Sequence, residues 1–145
     1  MHSVIFVILL WGTFFFAMAK GGRSERASAL IILIGVELSY FALPALPSRY
    51  NGIEVGVFIV DLIVFFALFG VALFSPKFWP MWVTAMQGVA LVAHLSPALP
   101  EVIPYAYGAA VQWWSYPMLI TLAIATRLHV RDQRRAAAPY RRASA

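Results

Sequence analysis

The dominant feature of the sequence is a set of five apolar runs, each close to the length that a helix needs to cross a bilayer. They cover approximately residues 3–19, 28–43, 55–75, 78–96 and 105–126. A hydrocarbon core of about 30 Å requires roughly 20 helical residues. Breakers separate the runs, in the segments KGGRSER, PALPSRYNG, SPK and SPALPEVIP. The pattern predicts an all-α integral membrane protein, a bundle of five transmembrane helices.

Composition points to the same class and narrows the chemistry. Of the 145 residues, 62% are hydrophobic and only 12% are charged, which is too few to give a domain of this size a polar coat. The absence of cysteine excludes disulfides, thiolate metal sites and covalently attached c-type haem. Serine-hydrolase, zinc-protease and phosphate-loop motifs are all missing from the sequence. No catalytic residue and no metal site is therefore predicted.

The orientation follows from the Lys and Arg residues, because cytoplasmic loops carry an excess of positive charge. Five spans with the N-terminus outside leave only Arg49 on the outer side. The cytoplasmic side then carries the other ten of the 11 basic residues: Lys20, Arg23, Arg26, Lys77, Arg127, Arg131, Arg134, Arg135, Arg141 and Arg142. We therefore expect a multi-pass protein of a bacterial inner membrane, with its C-terminus in the cytoplasm.

The basic C-terminal segment is predicted to differ from the rest of the chain. Residues 1–130 form the transmembrane domain, and residues 131–145 form a basic cytoplasmic tail that is expected to be disordered. Arginines beside a bilayer attract anionic headgroups, at about 1 kcal/mol each. The expected headgroup contacts are Arg127, Arg131, Arg134 and Arg135. The expected partner is thus the anionic cytoplasmic leaflet and not a nucleic acid.

Two acids interrupt apolar runs, where a charged group is costly and often functional. Glu37 lies seven residues before Pro44, and Asp61 lies nine residues after Gly52. Since the second helix would run outward and the third inward, both acids count from the outer surface. At 1.5 Å per residue they lie at a similar depth, roughly 10–14 Å. The sequence therefore predicts that Glu37 and Asp61 face each other in the outer half of the bundle.

Other polar residues fall at the same level and extend this candidate site. On the fourth helix, Gln87 and His94 are seven residues apart and share a face. Tyr40 follows Glu37 on the second helix, and the fifth helix carries Gln112 and Tyr116. The full candidate site is Glu37, Tyr40, Asp61, Gln87, His94, Gln112 and Tyr116. Side chains of these types also tie membrane helices together without any further role.

Pro117 predicts a kink in the fifth helix at the level of this polar site. Proline removes a hydrogen bond inside a helix and bends it. The neighbouring stretch GAAVQWWSYPMLITLA is otherwise apolar enough to cross a membrane. We expect its polar centre to face the protein interior.

Three functions are compatible with this pattern. The first is a non-enzymatic accessory or structural membrane subunit, since the chain is small and lacks catalytic motifs; a membrane-protein partner or a second copy would then bind it. The second is a proton- or cation-linked carrier or binding protein that uses Glu37 and Asp61. The third is a redox subunit that binds haem or quinone. No cofactor is predicted, although haem b between His2 and His94 stays open because both lie near the outer surface.

Overall fold

The computed structural model describes residues 4–42, 55–94 and 113–143, and these ranges form helices and short turns without a strand. The five helices described are α1 (Val4–Lys20), α2 (Arg23–Ala42), α3 (Val55–Phe74), α4 (Trp79–Ala93) and α5 (Ser115–Ala143). The all-helical class predicted from the sequence is confirmed for these residues.

Helix α2 begins five residues before the predicted apolar run, at Arg23. Its third residue, Glu25, accepts a hydrogen bond from the backbone N–H of Gly22, 3.1 Å away. A carboxylate that reaches back to the residue before the helix satisfies a donor that the helix leaves unpaired. It also complements the positive end of the helix dipole. The charged turn is therefore part of the helix.

Helix α5 continues through the segment for which the sequence predicts a disordered tail, and ends at Ala143. The run RDQRRAAA, residues 131–138, is rich in the strong helix formers Arg, Gln and Ala. The side chains of His129 and Gln133, one turn apart, are joined by a 3.1 Å hydrogen bond. High propensity lets the helix continue where apolar packing has ended.

Consecutive helices pack against each other as antiparallel neighbours, and α5 completes the bundle by contacting α1, α2 and α4. The turn between α1 and α2 meets the turn between α3 and α4, since the hydroxyl groups of Ser24 and Ser75 are 2.9 Å apart. His129 of α5 reaches the same end through Lys77. The basic residues of both turns and of α5 therefore gather at one end, called the basic end below.

The bundle buries a continuous apolar core and also exposes many large apolar side chains. The core includes Phe6, Leu10, Ile32, Val64, Leu68, Val83, Met118, Leu119 and Leu122. On the outside, Phe74 is 90% exposed and Phe41 is 80% exposed, and members of every helix are exposed with them. Soluble monomers rarely expose contiguous apolar patches beyond a few hundred Å². An exposed apolar surface of this kind is compatible with contact with lipid.

Among the described residues, α3 is the one helix that is both long and apolar enough to span a membrane. Helix α1 is also apolar but has 17 residues, or roughly 25 Å at 1.5 Å per residue. Helix α4 has 15 residues, and α2 carries four charged residues along its 20. The structure thus contains one candidate membrane span, and the five crossings predicted from the sequence stay a prediction.

Helices α2 and α3 approach each other closely at Gly35. A Cβ atom placed on Gly35 would lie 2.5 Å from Cγ2 of Val64, a β-branched side chain that is stiff in a helix. We expect Gly35→Ala to push the two helices apart and to lower the free energy of unfolding by about 1–3 kcal/mol. Denaturation of the purified protein in detergent micelles measures this loss.

Gly12→Ala is the matched control for this substitution, because a Cβ at Gly12 meets no atom within 4 Å. Its stability should be unchanged or slightly higher, since Ala favours a helix more than Gly does. Equal stability of the two variants would contradict the close approach of α2 and α3 at Gly35.

Candidate functional site

The structure pairs Asp61 of α3 with two residues of α4. Nε2 of His94 lies 2.7 Å from Oδ2 of Asp61. The side-chain amide of Gln87 donates to Oδ1 of the same carboxylate at 3.1 Å and also lies 3.3 Å from the backbone carbonyl of Asp61. His94 is 1% exposed and Asp61 is 18% exposed. This triad of Asp61, Gln87 and His94, the outer cluster, satisfies both oxygens of a half-buried carboxyl group.

Helix periodicity explains why both α4 residues reach one carboxyl group. Gln87 and His94 are seven residues apart, about two turns, so they share the face that packs on α3. The backbone of His94 ends α4, where its N–H donates to the carbonyls of Ala90 and Leu91. Its ring also meets the ring of Phe58 edge to face, with centroids 6.0 Å apart. The imidazole is thus fixed from both helices.

A small cavity adjoins this cluster on the axis of the bundle. Its volume is about 50 Å³, and all five helices contribute to its wall. Polar groups enter the wall from Asp61, Gln87 and Ser115, and the rest is lined by Phe6, Ile32, Gly35, Val36, Val64, Met118 and Leu119. One water needs roughly 10–15 Å³ of such volume and two to four polar partners. The cavity therefore has room for a few waters beside Asp61.

Tyr116 and Pro117 lie at the start of α5, near this cavity. The ring of Tyr116 packs edge to face on Phe6, with centroids 5.4 Å apart. Trp113 is helical, Trp114 forms a turn, and α5 begins at Ser115, so the helical path is interrupted just before Pro117. Proline is well tolerated in the first turn of a helix. The kink stays a prediction, because residues 95–112, which precede Trp113, are outside the described ranges.

Glu37 and Tyr40 are not brought to Asp61. Glu37 is exposed on α2, and Tyr40 is 62% exposed with its ring against Phe41. The contact of Gly35 with α3 explains this, because side chains two residues apart on a helix point about 200° away from each other. The predicted pairing of Glu37 with Asp61 is thus replaced by a pairing of His94 with Asp61.

The remaining predicted residues divide into two groups. Gln112 and His2 lie outside the described residues, and so does the proposed haem pair of His2 with His94. The four predicted headgroup contacts are described and exposed along α5: Arg127, Arg131, Arg134 and Arg135. In the described ranges, no three His, Asp or Glu side chains converge as metal ligands.

A second polar cluster, which was not predicted from the sequence, lies at the basic end. Glu25 is fully buried, and its Oε1 lies 2.6 Å from Nζ of Lys77. The indole N–H of Trp79 donates to the same oxygen at 3.2 Å. Nζ of Lys77 lies 3.2 Å from Nδ1 of His129, whose other nitrogen meets Gln133. This basic-end cluster of Glu25, Lys77, Trp79 and His129 ties α2, α4 and α5 together.

One feature of the sequence could have revealed this cluster. Glu25 is the single acid in the basic turn KGGRSER, and Lys77 lies in the only other turn on the same side. An acid that is buried needs a cation or hydrogen-bond donors beside it, and Lys77 is a cation that the predicted topology brings to the same end. The helix boundaries predicted from hydropathy placed both Glu25 and Lys77 in loops, so this pair was not predicted.

An apolar layer separates the two clusters. Between the clusters, four of the helices present the buried aliphatic side chains of Leu10, Leu68, Val83 and Leu122. Buried hydroxyl groups of Thr13, Ser28, Thr84 and Thr126 lie in the same bundle. Leu68 follows Asp61 by two turns, and Val83 precedes Gln87 by one turn. In this structure the outer cluster therefore has no polar connection to the basic end through these residues.

Comparison with known proteins was made at three levels. The chain matches no protein-family model, no curated protein and no solved structure. The site must therefore be interpreted from its own geometry, which consists of two buried polar clusters, a small cavity beside one of them, and an apolar layer between them. No relative supplies a function by similarity.

Proposed function

We propose that this chain is an integral membrane protein of five spans, with its N-terminus outside and its C-terminus in the cytoplasm. Its exposed apolar surface supports immersion in lipid, and α3 is long and apolar enough to span. The antiparallel order of the helices brings both basic turns and the arginines of α5 to one end, as the positive-inside rule requires of a cytoplasmic face. The shorter helices are compatible with local thinning of the bilayer.

Within that membrane, the proposed role is that of a non-enzymatic accessory or structural subunit. The observation that carries it is the mutual pairing of the buried polar groups, which link helices to one another. Interhelical hydrogen bonds of this kind stabilise membrane bundles. The exposed apolar surface would meet lipid, a membrane-protein partner or a second copy, and the arginines of α5 would meet anionic headgroups.

Reporter fusions test the proposed topology. A reporter that is active only in the periplasm, fused after Ala145, should be inactive, and a reporter that folds only in the cytoplasm should be active there. The same pair fused before Met1 should give the opposite result. The protein should also stay in the membrane during alkaline extraction. A periplasmic C-terminus, or release by alkali, would refute the five-span proposal.

A second candidate function, a proton-linked carrier or binding protein, is favoured by one observation. Asp61 borders a cavity with room for water and pairs with a histidine, a side chain that ordinarily changes charge between pH 5 and 8. In this version His94 takes the role that the sequence suggested for Glu37. Vesicles that contain the purified protein and a trapped pH dye test it, since a carrier would make proton movement depend on Asp61.

A further inference from the structure

We propose that the outward face of α2 around Glu37 is the docking surface for a transmembrane helix of another protein, and that this helix carries an arginine or lysine near its centre. The assignment rests on the accessory role proposed above and deepens it, because it names the chemistry of the partner. Glu37 belongs to neither of the two polar clusters. Its carboxylate would receive its cation from a different chain.

Glu37 lies at the middle of the candidate span. The close approach of α2 to α3 puts Gly35 at the level of Val64. Val64 is the tenth of the 20 residues of α3, the helix that is long and apolar enough to cross a membrane. Glu37 follows Gly35 by two residues, or roughly 3 Å along the axis at 1.5 Å per residue. Since the hydrocarbon core is about 30 Å thick, its carboxyl group lies far from both headgroup layers.

The surroundings of Glu37 on the outside of the bundle are apolar. Ile34, Leu38 and Phe41 lie within about one turn of it and are 54%, 48% and 80% exposed. Glu37 is exposed with them, and within the described ranges no hydrogen bond or ion pair joins its carboxyl group to this chain. Acids inside a membrane are costly and almost always pair with another group. The described helices therefore leave this charge uncompensated.

The shape of this surface fits a helix. Exposed side chains recur along it at spacings of four, three and four residues: Leu30, Ile34, Glu37 and Phe41. This is the spacing at which one helix packs its side chains between those of a neighbouring helix. The row is open along roughly 16 Å of α2, at 1.5 Å per residue. A helix that packs on this row places its own central residues beside Glu37.

Tyr40 adds a second group that favours a cation at this position. It lies one turn from Glu37 on α2 and is 62% exposed. An aromatic ring attracts a guanidinium or ammonium group, and a phenol oxygen accepts a hydrogen bond. The carboxylate of Glu37 can accept two parallel hydrogen bonds from one guanidinium group. A basic side chain of the partner therefore fits this surface better than an apolar one.

A second copy of this chain does not supply that cation. In the same orientation, it would bring its own Glu37 to the same depth, and two carboxylates at one level repel each other. Arg26, the closest arginine along α2, lies roughly 16 Å away at 1.5 Å per residue and belongs to the basic end. The partner that this surface fits is thus a different protein.

A synthetic transmembrane peptide tests the surface. The probe is a leucine–alanine helix of about 20 residues with one central arginine, and its match has leucine at that position. The protein, which has no cysteine of its own, is labelled at a cysteine added after Ala145, and energy transfer to the labelled peptide is measured in lipid nanodiscs. We expect the wild type to bind the arginine peptide about tenfold more tightly than the leucine peptide, and Glu37→Gln to bind both equally.

Three further variants are controls. Ile34 on α2 and Ile124 on α5 are both 54% exposed. Ile34→Ala should weaken binding of the arginine peptide, because it removes a side chain from the row, whereas Ile124→Ala should leave binding unchanged. Asp61→Asn should keep the preference for arginine, because Asp61 is paired inside the bundle with Gln87 and His94.

The proposal is overturned if the wild type binds both peptides equally, or if Glu37→Gln keeps the preference for arginine. Equal effects of Ile34→Ala and Ile124→Ala would overturn the helical row. Association of the protein with itself that is lost in Glu37→Gln would assign the surface to a second copy, against the proposal. The reporter fusions decide the topology separately, so a protein with the proposed topology and no preference for arginine loses only this surface.

Discussion

Lys77→Met should destabilise the protein more than any other single removal of a charge at the basic end. It leaves the carboxylate of Glu25, which is fully buried, without its cation. Removal of one partner of a buried pair costs about 3–5 kcal/mol, and we expect the lower end because Lys77 keeps a third of its side chain exposed. Denaturation in detergent micelles measures the free energy of unfolding.

Two further variants give this prediction its control and its contradiction. Lys20→Met removes an exposed charge at the same end and should change stability by less than about 0.5 kcal/mol. Glu25→Gln added to Lys77→Met removes the uncompensated charge and should recover part of the loss. If Lys77→Met were no less stable than Lys20→Met, the buried pair would not hold this end together.

Asp61→Leu and His94→Leu should each destabilise the bundle by about 2–4 kcal/mol, whereas the double variant should come within about 1 kcal/mol of the wild type. Each single change removes one side of the 2.7 Å contact and takes a hydrogen-bond partner from the buried polar group that stays. Replacement of a whole buried pair by apolar residues is often neutral or stabilising. A double-mutant cycle of unfolding free energies in micelles measures this coupling.

The double variant also separates the two proposed functions. If the outer cluster serves only packing, a stable Asp61→Leu, His94→Leu protein should replace the wild type in a cell, because its helices still pack. If the cluster serves the proton-linked function, the variant should fold but should no longer move protons in vesicles that contain a trapped pH dye. Additive losses in the two single variants would instead show that the pair is not coupled, against the 2.7 Å contact.

The sequence was sufficient to predict the helical class and part of the outer cluster. Gln87 and His94 could be placed on one face because the period of a helix fixes relative directions along a single element. Their common partner Asp61 could be placed at their level because consecutive helices are antiparallel. These inferences need no knowledge of how any helix is rotated about its axis.

That rotation is what the sequence could not supply. Helix α3 is apolar on nearly all sides, so its pattern does not say which face meets α2 and which meets lipid. Glu37 was consequently expected beside Asp61, whereas the approach at Gly35 turns it outward. The end of α5 was missed for a different reason, since hydropathy marks where a helix leaves the membrane and not where it stops being a helix.

The apolar layer between the two clusters has an electrical consequence. If the chain spans the membrane as proposed, an apolar layer conducts no ions, and the transmembrane voltage falls mainly across the level of Leu10, Leu68, Val83 and Leu122. One elementary charge that crosses the full field changes energy by about 2.3 kcal/mol per 100 mV. A proton that enters the outer cluster from the outer half would stop short of most of this drop. Binding at the outer cluster would then depend little on the membrane voltage.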